Sequence, residues 1–326
     1  MTGTGAHPFE TGLDRSSANY VPLTPVSFLC RAASAFANKT AVIDGERRYT
    51  YAQLYDRCIR VASALSGLGV KRLDTVAIMA SNIPEMIEVH YAVPMLGAVL
   101  NPLNTRLDAA NVAFSLKHGA AKILIVDGDY ASLIKQALAL LDRNITVIDI
   151  EVPDRPSAAV GAHNYEELLA AADPAFRPPA ITDEWQSLCL LYTSGTTGDP
   201  KGVVYSHRGA YLSALGNALN IGLTFNSIYL WTLPMFHCCG WSYPWAVVAA
   251  GGTQICLRKV EPPAIFRLIA EHRVTHLCGA PIVLNMLAHA PAEHRVVFDH
   301  VVTVATGGAA PPSAVFSTAP CTLGTR

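Results

Sequence analysis

A chain of 326 residues with 51% apolar and only 15% charged side chains carries enough hydrophobic material for one large or two ordinary domains. Its formal charge of −1 gives no footing for a nucleic-acid or anionic-membrane partner. Eight cysteines without a C-x-x-C pair, no apolar run long enough to span a bilayer, and a Gly/Thr-rich start without an apolar block argue against a zinc site, a membrane span and a signal peptide.

Residues 1–19 read as irregular. Residues 41–43 are a short strand, Asp44-Gly45 a turn, and 48–51 the returning strand. Residues 52–68 are a helix, because Leu54, Cys58, Ile59, Ala62, Leu65 and Leu68 share one face and Gly69 stops it. Residues 75–79 are a strand. Ser81 or Asn82 is expected to cap the next helix, with Pro84 in its first turn. Strands at 98–100, 122–126 and 146–150 then alternate with helices at 108–118 and 130–141. This rhythm and its continuous apolar strands predict an α/β fold of mostly parallel sheet covered by helices.

Residues 151–182 hold Pro153, Pro156, Pro174, Pro178 and Pro179 around a small helix at 164–172, and read as a connector. The expected division is therefore a first α/β subdomain at 20–150 and a second at 183–315. In the second, strands are expected at 188–192, 227–233, 252–257, 275–278 and 301–306. Helices are expected at 206–220, 245–250, 262–272 and 281–289.

The apolar strand 188–192 ends abruptly in Thr193-Ser194-Gly195-Thr196-Thr197-Gly198-Asp199-Pro200-Lys201-Gly202. Glycines let backbone N–H groups approach an anion, hydroxyls add donors, and Lys201 adds a mobile positive charge. Thr193 is a candidate Mg²⁺ contact. The loop is not the P-loop of ordinary NTPases, since Pro200 stands where the second glycine would fall, and no G-x-G-x-x-G occurs. The plainer alternative is a polar turn between two strands. His237 follows a strand in Leu233-Pro234-Met235-Phe236-His237; a lone histidine there is ordinarily a core residue bonded to a carbonyl. Cys238-Cys239 reads as small core filler.

Four stretches in order carry a resemblance: Thr40-Ala41-Val42-Ile43-Asp44-Gly45 with Tyr49-Thr50-Tyr51, the loop, Leu233 to His237, and Gly307-Gly308-Ala309-Ala310-Pro311. From about residue 20 to about 315 the chain resembles the adenylate-forming superfamily, in particular plant acyl-activating enzymes. The resemblance implies two mostly parallel sheets flanked by helices, with the small C-terminal domain of that family absent. It implies an AMP-forming carboxylic acid–CoA ligase acting on a small carboxylic acid with ATP, Mg²⁺ and coenzyme A. It gives Thr193, Ser194, Gly195, Thr196, Thr197, Gly198 and Lys201 to the phosphates, and Gly308, Ala309 and Ala310 to adenine. His237 is placed beside the carboxylate, with Met235, Phe236 and Trp241 walling the acyl pocket.

The family's Tyr-Gly-x-Thr-Glu motif and the residues beyond it do not occur here, no tyrosine follows Tyr243, and the tail 316–326 does not resemble the family. The expectation is a truncated chain that completes little or no thioester formation; the alternative is a non-catalytic, nucleotide-binding or association-only fragment. Residues 301–304 are expected to leave an unpaired apolar edge. The compartment is expected to be cytoplasm or peroxisome, without a visible targeting signal, and no nucleic acid or membrane span enters.

Overall fold

The computed structural model describes residues 7–152, 159–193 and 200–309. The first part of the chain gives α1 (Val26–Ala35), β1 (Thr40–Asp44), β2 (Arg47–Thr50), α2 (Tyr51–Gly67), β3 (Thr75–Met79), α3 (Pro84–Met95), β4 (Val99–Pro102) and α4 (Ala109–His118). Next come β5 (Ala121–Asp127), α5 (Ala131–Ala139), β6 (Thr146–Ile150), β7 (His163–Asn164), α6 (Tyr165–Ala171), β8 (Ser187–Tyr192), β9 (Gly202–Ser206) and α7 (His207–Asn220). The last part gives β10 (Ile228–Leu230), α8 (Tyr243–Ala250), β11 (Thr253–Ile255), α9 (Pro262–His272), β12 (His276–Gly279), α10 (Pro281–Ala288) and β13 (Thr303–Thr306).

Local chemistry explains the elements foreseen. Thr50 and Gln53 form a reciprocal capping box that starts α2, and the apolar stripe through Leu54, Cys58, Ile59, Ala62 and Leu65 is buried. Asp108, Asn164 and Ser206 each cap the following helix by accepting from a backbone N–H. Helix α1 and strand β9 are additions to the expected elements.

Two mixed, mostly parallel sheets result. One runs β13-β12-β10-β11-β1-β2 and the other β7-β6-β5-β3-β4-β8-β9; in each, a single antiparallel pair, β1–β2 or β8–β9, lies at one edge. The sheets do not follow the expected division at the connector. Strand β1, with β2 paired on its far side, leaves the first segment to pair with β11, and β8, with β9 on its far side, leaves the second to pair with β4. Strand periodicity marks which face is apolar and is silent on which sheet a strand joins.

The period of two sorts the core. In β3, Val76 and Ile78 face an inner cluster while Ala77 and Met79 face an outer one with α4 and α5. In the other sheet, Tyr229 and Cys278 face the same inner cluster, and Leu230 and Leu277 face α9 and α10. Helices α1, α2, α3, α7 and α8 thus fill the space between the sheets, a helix–sheet–helix–sheet–helix stack. Helix α3 is buried at all 12 positions, since sheet or helix covers every side of it.

The expected cap of α3 is corrected. Its N-cap residue is Ile83, with no side-chain bond, and the Asn82 amide reaches the other sheet instead. Strand β13 pairs only with β12 among the described residues and stands at the sheet edge. Val301 beside it is exposed, but Val302 is buried in the cluster with α9 and α10. No helix among the described residues is long and apolar enough to cross a membrane.

Candidate functional site

The loop that begins at Thr193 is closed at its base. Tyr192 pairs with Gly202 across the β8–β9 ladder, and the Thr193 N–H donates to the Lys201 carbonyl at 3.0 Å. Ser194, Gly195, Thr196, Thr197, Gly198 and Ala310 lie outside the described residues. Lys201 is exposed beside this base, so its ammonium is free of burial cost.

A cavity of about 510 Å³ lies where the strand ends of both sheets meet. Tyr192, Thr193 and Tyr205 line it from the β8–β9 side, and Phe236, His237 and Cys238 from the segment after β10. The structure therefore brings Thr193 and His237 to one space, although 44 positions separate them in sequence. Carboxyl ends of parallel strands are where open α/β sheets leave room for ligands. Phe236 lines this cavity, whereas Met235 is fully buried and its N–H donates to Asn82. The two sit in a turn closed by the His237 N–H on the Pro234 carbonyl, which sends their side chains to different sides.

After His237 the backbone does something the sequence does not announce. Cys238, Cys239, Gly240, Trp241 and Ser242 all have φ between +49° and +64°, one turn of left-handed helix. Non-glycine residues there cost about 1–2 kcal/mol each, so tertiary contacts must hold the turn. Asn217 Nδ2 donates to the Trp241 carbonyl at 2.6 Å, Ser242 Oγ bonds Ser213 Oγ at 3.0 Å, and Cys239 is buried. Gly240 has no substitute: a Cβ there would lie 2.7 Å from the Trp231 ring. The turn aims Trp241 into a second cavity of about 210 Å³, which adjoins the first at Tyr205 and Cys238. Trp241 thus walls the side cavity and not the main one.

Gly308 and Ala309 are exposed after β13 and line neither cavity. Gly307 is the residue of that stretch with a tight contact, since a Cβ on it would stand 1.8 Å from the Trp241 ring. Three residues at the site carry no sequence signal. Arg106, in the loop after β4, lines the cavity and presses the His237 pKa down by its charge. Tyr205 on β9 and Cys238 lie between the two cavities. Cys238 is half-buried and not simply core filler.

His237 and Cys238 tune each other. The Cys238 Sγ lies 3.9 Å from His237 Nε2, and this partner raises the imidazole pKa against the opposing effects of burial and Arg106. The thiol moves down, chiefly through the same contact. At 3.9 Å this is a long contact, so the coupling is modest. Cys238→Ala is expected to lower the His237 pKa, read from the imidazole C–H shifts in an NMR titration; an unchanged midpoint would refute the pairing.

Among its described lining the main cavity has no carboxylate, and the described residues hold no cluster of three metal-ligating side chains. They do not fit a Mg²⁺ ion held by protein carboxylates. They do fit anions, with Arg106 and His237 on the wall and hydroxyls at Thr193 and Tyr205.

Comparison with known proteins agrees with this picture. A family model described as AMP-binding enzyme matches residues 29–325, running into the tail that the resemblance was not expected to reach. A peroxisomal acetate/butyrate–CoA ligase of Arabidopsis thaliana is 46% identical over 319 residues, covering 93% of this chain and 56% of that protein. A peroxisomal benzoate–CoA ligase of the same plant is 44% identical over 308 residues, covering 91% of this chain and 53% of its own length. The chain spans about half the length of these curated relatives. The N-terminal domain of FACL13 from Mycobacterium tuberculosis, solved with an inhibitor, superposes with a TM-score of 0.81 at 28% identity, covering 91% of this chain and 73% of that one. With a family match over residues 29–325 and relatives this similar, the chain belongs to the AMP-binding enzyme family.

Proposed function

We propose that this site adenylates a small carboxylic acid, the first half of an AMP-forming acid–CoA ligase reaction. The observation that carries the reading is the shared cavity, with the start of the phosphate loop on one wall and His237 on the other. The chemical task is to bring two anions together. A carboxylate oxygen attacks the α-phosphorus of ATP, the bond to the bridging oxygen breaks, and pyrophosphate leaves. Repulsion between the reactants is the obstacle, and a cavity whose described lining is cationic and free of carboxylates lowers it.

Each residue then has a task. Thr193 and Lys201 hold the β- and γ-phosphates at the loop base. His237 donates to one carboxylate oxygen and aims the other at phosphorus. Its raised pKa favours the imidazolium that such a contact needs. Arg106 offsets charge near His237. The acid is a small one, in keeping with relatives named for acetate, butyrate and benzoate. Attack of the coenzyme A thiol on the acyl-adenylate completes the proposed reaction of the whole protein.

A second reading has one observation in its favour. Gly308 and Ala309, the described residues assigned to adenine, line neither cavity. On that reading the chain binds nucleotide without turnover. Acid-dependent exchange of labelled pyrophosphate into ATP, run over a panel of short, branched and aromatic acids, separates the two. Exchange that falls about 100-fold in His237→Ala, with ATP binding by calorimetry retained, is the expected result. Binding without exchange supports the second reading. Neither binding nor exchange refutes both.

A further inference from the structure

We propose that Asn82 is a positioning residue for this site: its side chain fixes the His237 segment of one sheet against the phosphate-loop hairpin of the other. The proposal rests on the adenylation reading for its kinetic part and on geometry alone for the rest.

Asn82 follows β3 in the seven-stranded sheet, yet every bond of its amide runs to the other sheet. Nδ2 donates to the carbonyls of Trp231 at 2.9 Å and Leu233 at 3.0 Å. Oδ1 accepts from the Met235 N–H at 2.8 Å. The backbone of Asn82 makes an isolated antiparallel bridge to Leu257, the residue just past β11. Its side chain is buried, so these bonds have no competition from water.

The pattern specifies the residue. Three backbone groups at every second residue, 231, 233 and 235, converge on this one amide. The amide has two N–H donors and both are used; its oxygen meets the one N–H. A flipped amide would set oxygen against two carbonyls, so the orientation is fixed. Asp accepts but cannot donate, and Ala leaves three backbone groups without partners. No helix cap explains these bonds, since α3 starts without one.

The consequence falls on His237. Its N–H donates to the carbonyl of Pro234 at 3.1 Å, inside the stretch that Asn82 holds. A slip at Met235 therefore displaces His237 relative to Thr193, which belongs to the sheet that carries Asn82. Productive geometry tolerates little error; displacement of about 1 Å costs up to 100-fold in rate.

A second crossing between the sheets supplies the control. Arg258, after β11, donates to the buried Asp127 of β5 at 2.8 Å and makes no bond to residues 231–237. The experiment compares Asn82→Asp, Asn82→Ala and Arg258→Met by NMR titration of the His237 imidazole, melting temperature and pyrophosphate exchange. Cys238 and Arg106 face that imidazole, so its titration reports displacement directly. Expected is a shifted His237 titration in both Asn82 variants, with exchange kcat down about 10- to 30-fold and KM for ATP nearly unchanged. Arg258→Met is expected to melt earlier with the His237 titration in place. An Asn82→Asp variant that melts earlier but keeps the His237 titration overturns the proposal. So does unfolding of both Asn82 variants while Arg258→Met folds, which would leave Asn82 a purely structural role. If the parent protein shows no exchange, the adenylation reading fails, while the His237 titration still decides the role of Asn82.

Discussion

Arg57→Met is expected to lower the free energy of unfolding by about 3–5 kcal/mol, the usual cost of leaving a buried charge without its partner. Helix α3 carries Glu85 and Glu88 one turn apart, and both side chains are buried. Arg57 from α2 answers Glu88 with Nε at 2.5 Å and Nη2 at 3.3 Å, and reaches Glu166 at 2.5 Å and 3.0 Å. Tyr165 donates a further bond to Glu88 at 2.8 Å. Arg47 meets Glu85 at 2.6 Å. Methionine at 57 keeps much of the packing volume and removes the guanidinium, so Glu88 is left with one phenol and a neighbouring carboxylate. Denaturant unfolding measures the loss. Adding Glu88→Leu is expected to recover most of it, because the desolvated charge is then gone. A single variant as stable as the parent would refute a stabilising role for this buried ion pair.

The second large effect is acid lability through His207. This side chain is fully buried at the first position of α7, with Nδ1 bonded to Thr24 Oγ1 at 2.8 Å and no partner at Nε2. Burial lowers its pKa from 6.5 to about 4, with the charge of Asp183 opposing. Below 6.5 the unfolded chain takes up a proton that the folded protein refuses. Stability is therefore lost as pH falls from 6.5 towards 4, by about 3 kcal/mol in all, each pKa unit being worth about 1.4 kcal/mol. Glu85 works the other way. Burial, then the charge of Glu88, raises its pKa, so the folded state gains from protonation as pH falls through that raised value. The parent's curve mixes these with His272, His276 and the ion-paired Asp74, and the difference between parent and His207→Gln isolates His207. That difference is expected to shrink steadily from pH 6.5 to 4. A pH-independent difference would mean that His207 is not held neutral.

Much of the fold was readable before any tertiary contact, as was the candidate loop. The turn at Asp44-Gly45, the α2 stripe from Leu54 to Leu65 and the loop from Thr193 to Lys201 are each written in a few adjacent residues. Asp108, Asn164 and Ser206 announce helix starts because the capping bond is local. Asn82 shows the limit of that logic. Its type and its place before Pro84 fit a cap, and its amide is spent about 150 positions away, on Trp231, Leu233 and Met235. Arg106 gave no signal, because one arginine in a loop looks like any solvated charge until the opposite wall of the cavity is in place.

Residue order settled the kind of chemistry on offer: a hydroxyl-and-glycine loop ending in lysine, and a histidine delivered by an apolar run. Those are short-range properties, set by backbone freedom and side-chain type within about ten residues. Pairing β1 with β11 and β4 with β8, the left-handed turn at 238–242 and the meeting of Thr193 with His237 came only with the packed molecule. A strand's alternation says which of its faces is apolar but not which neighbour will cover it, and a strained turn survives only where distant groups such as Asn217 and Ser213 hold it.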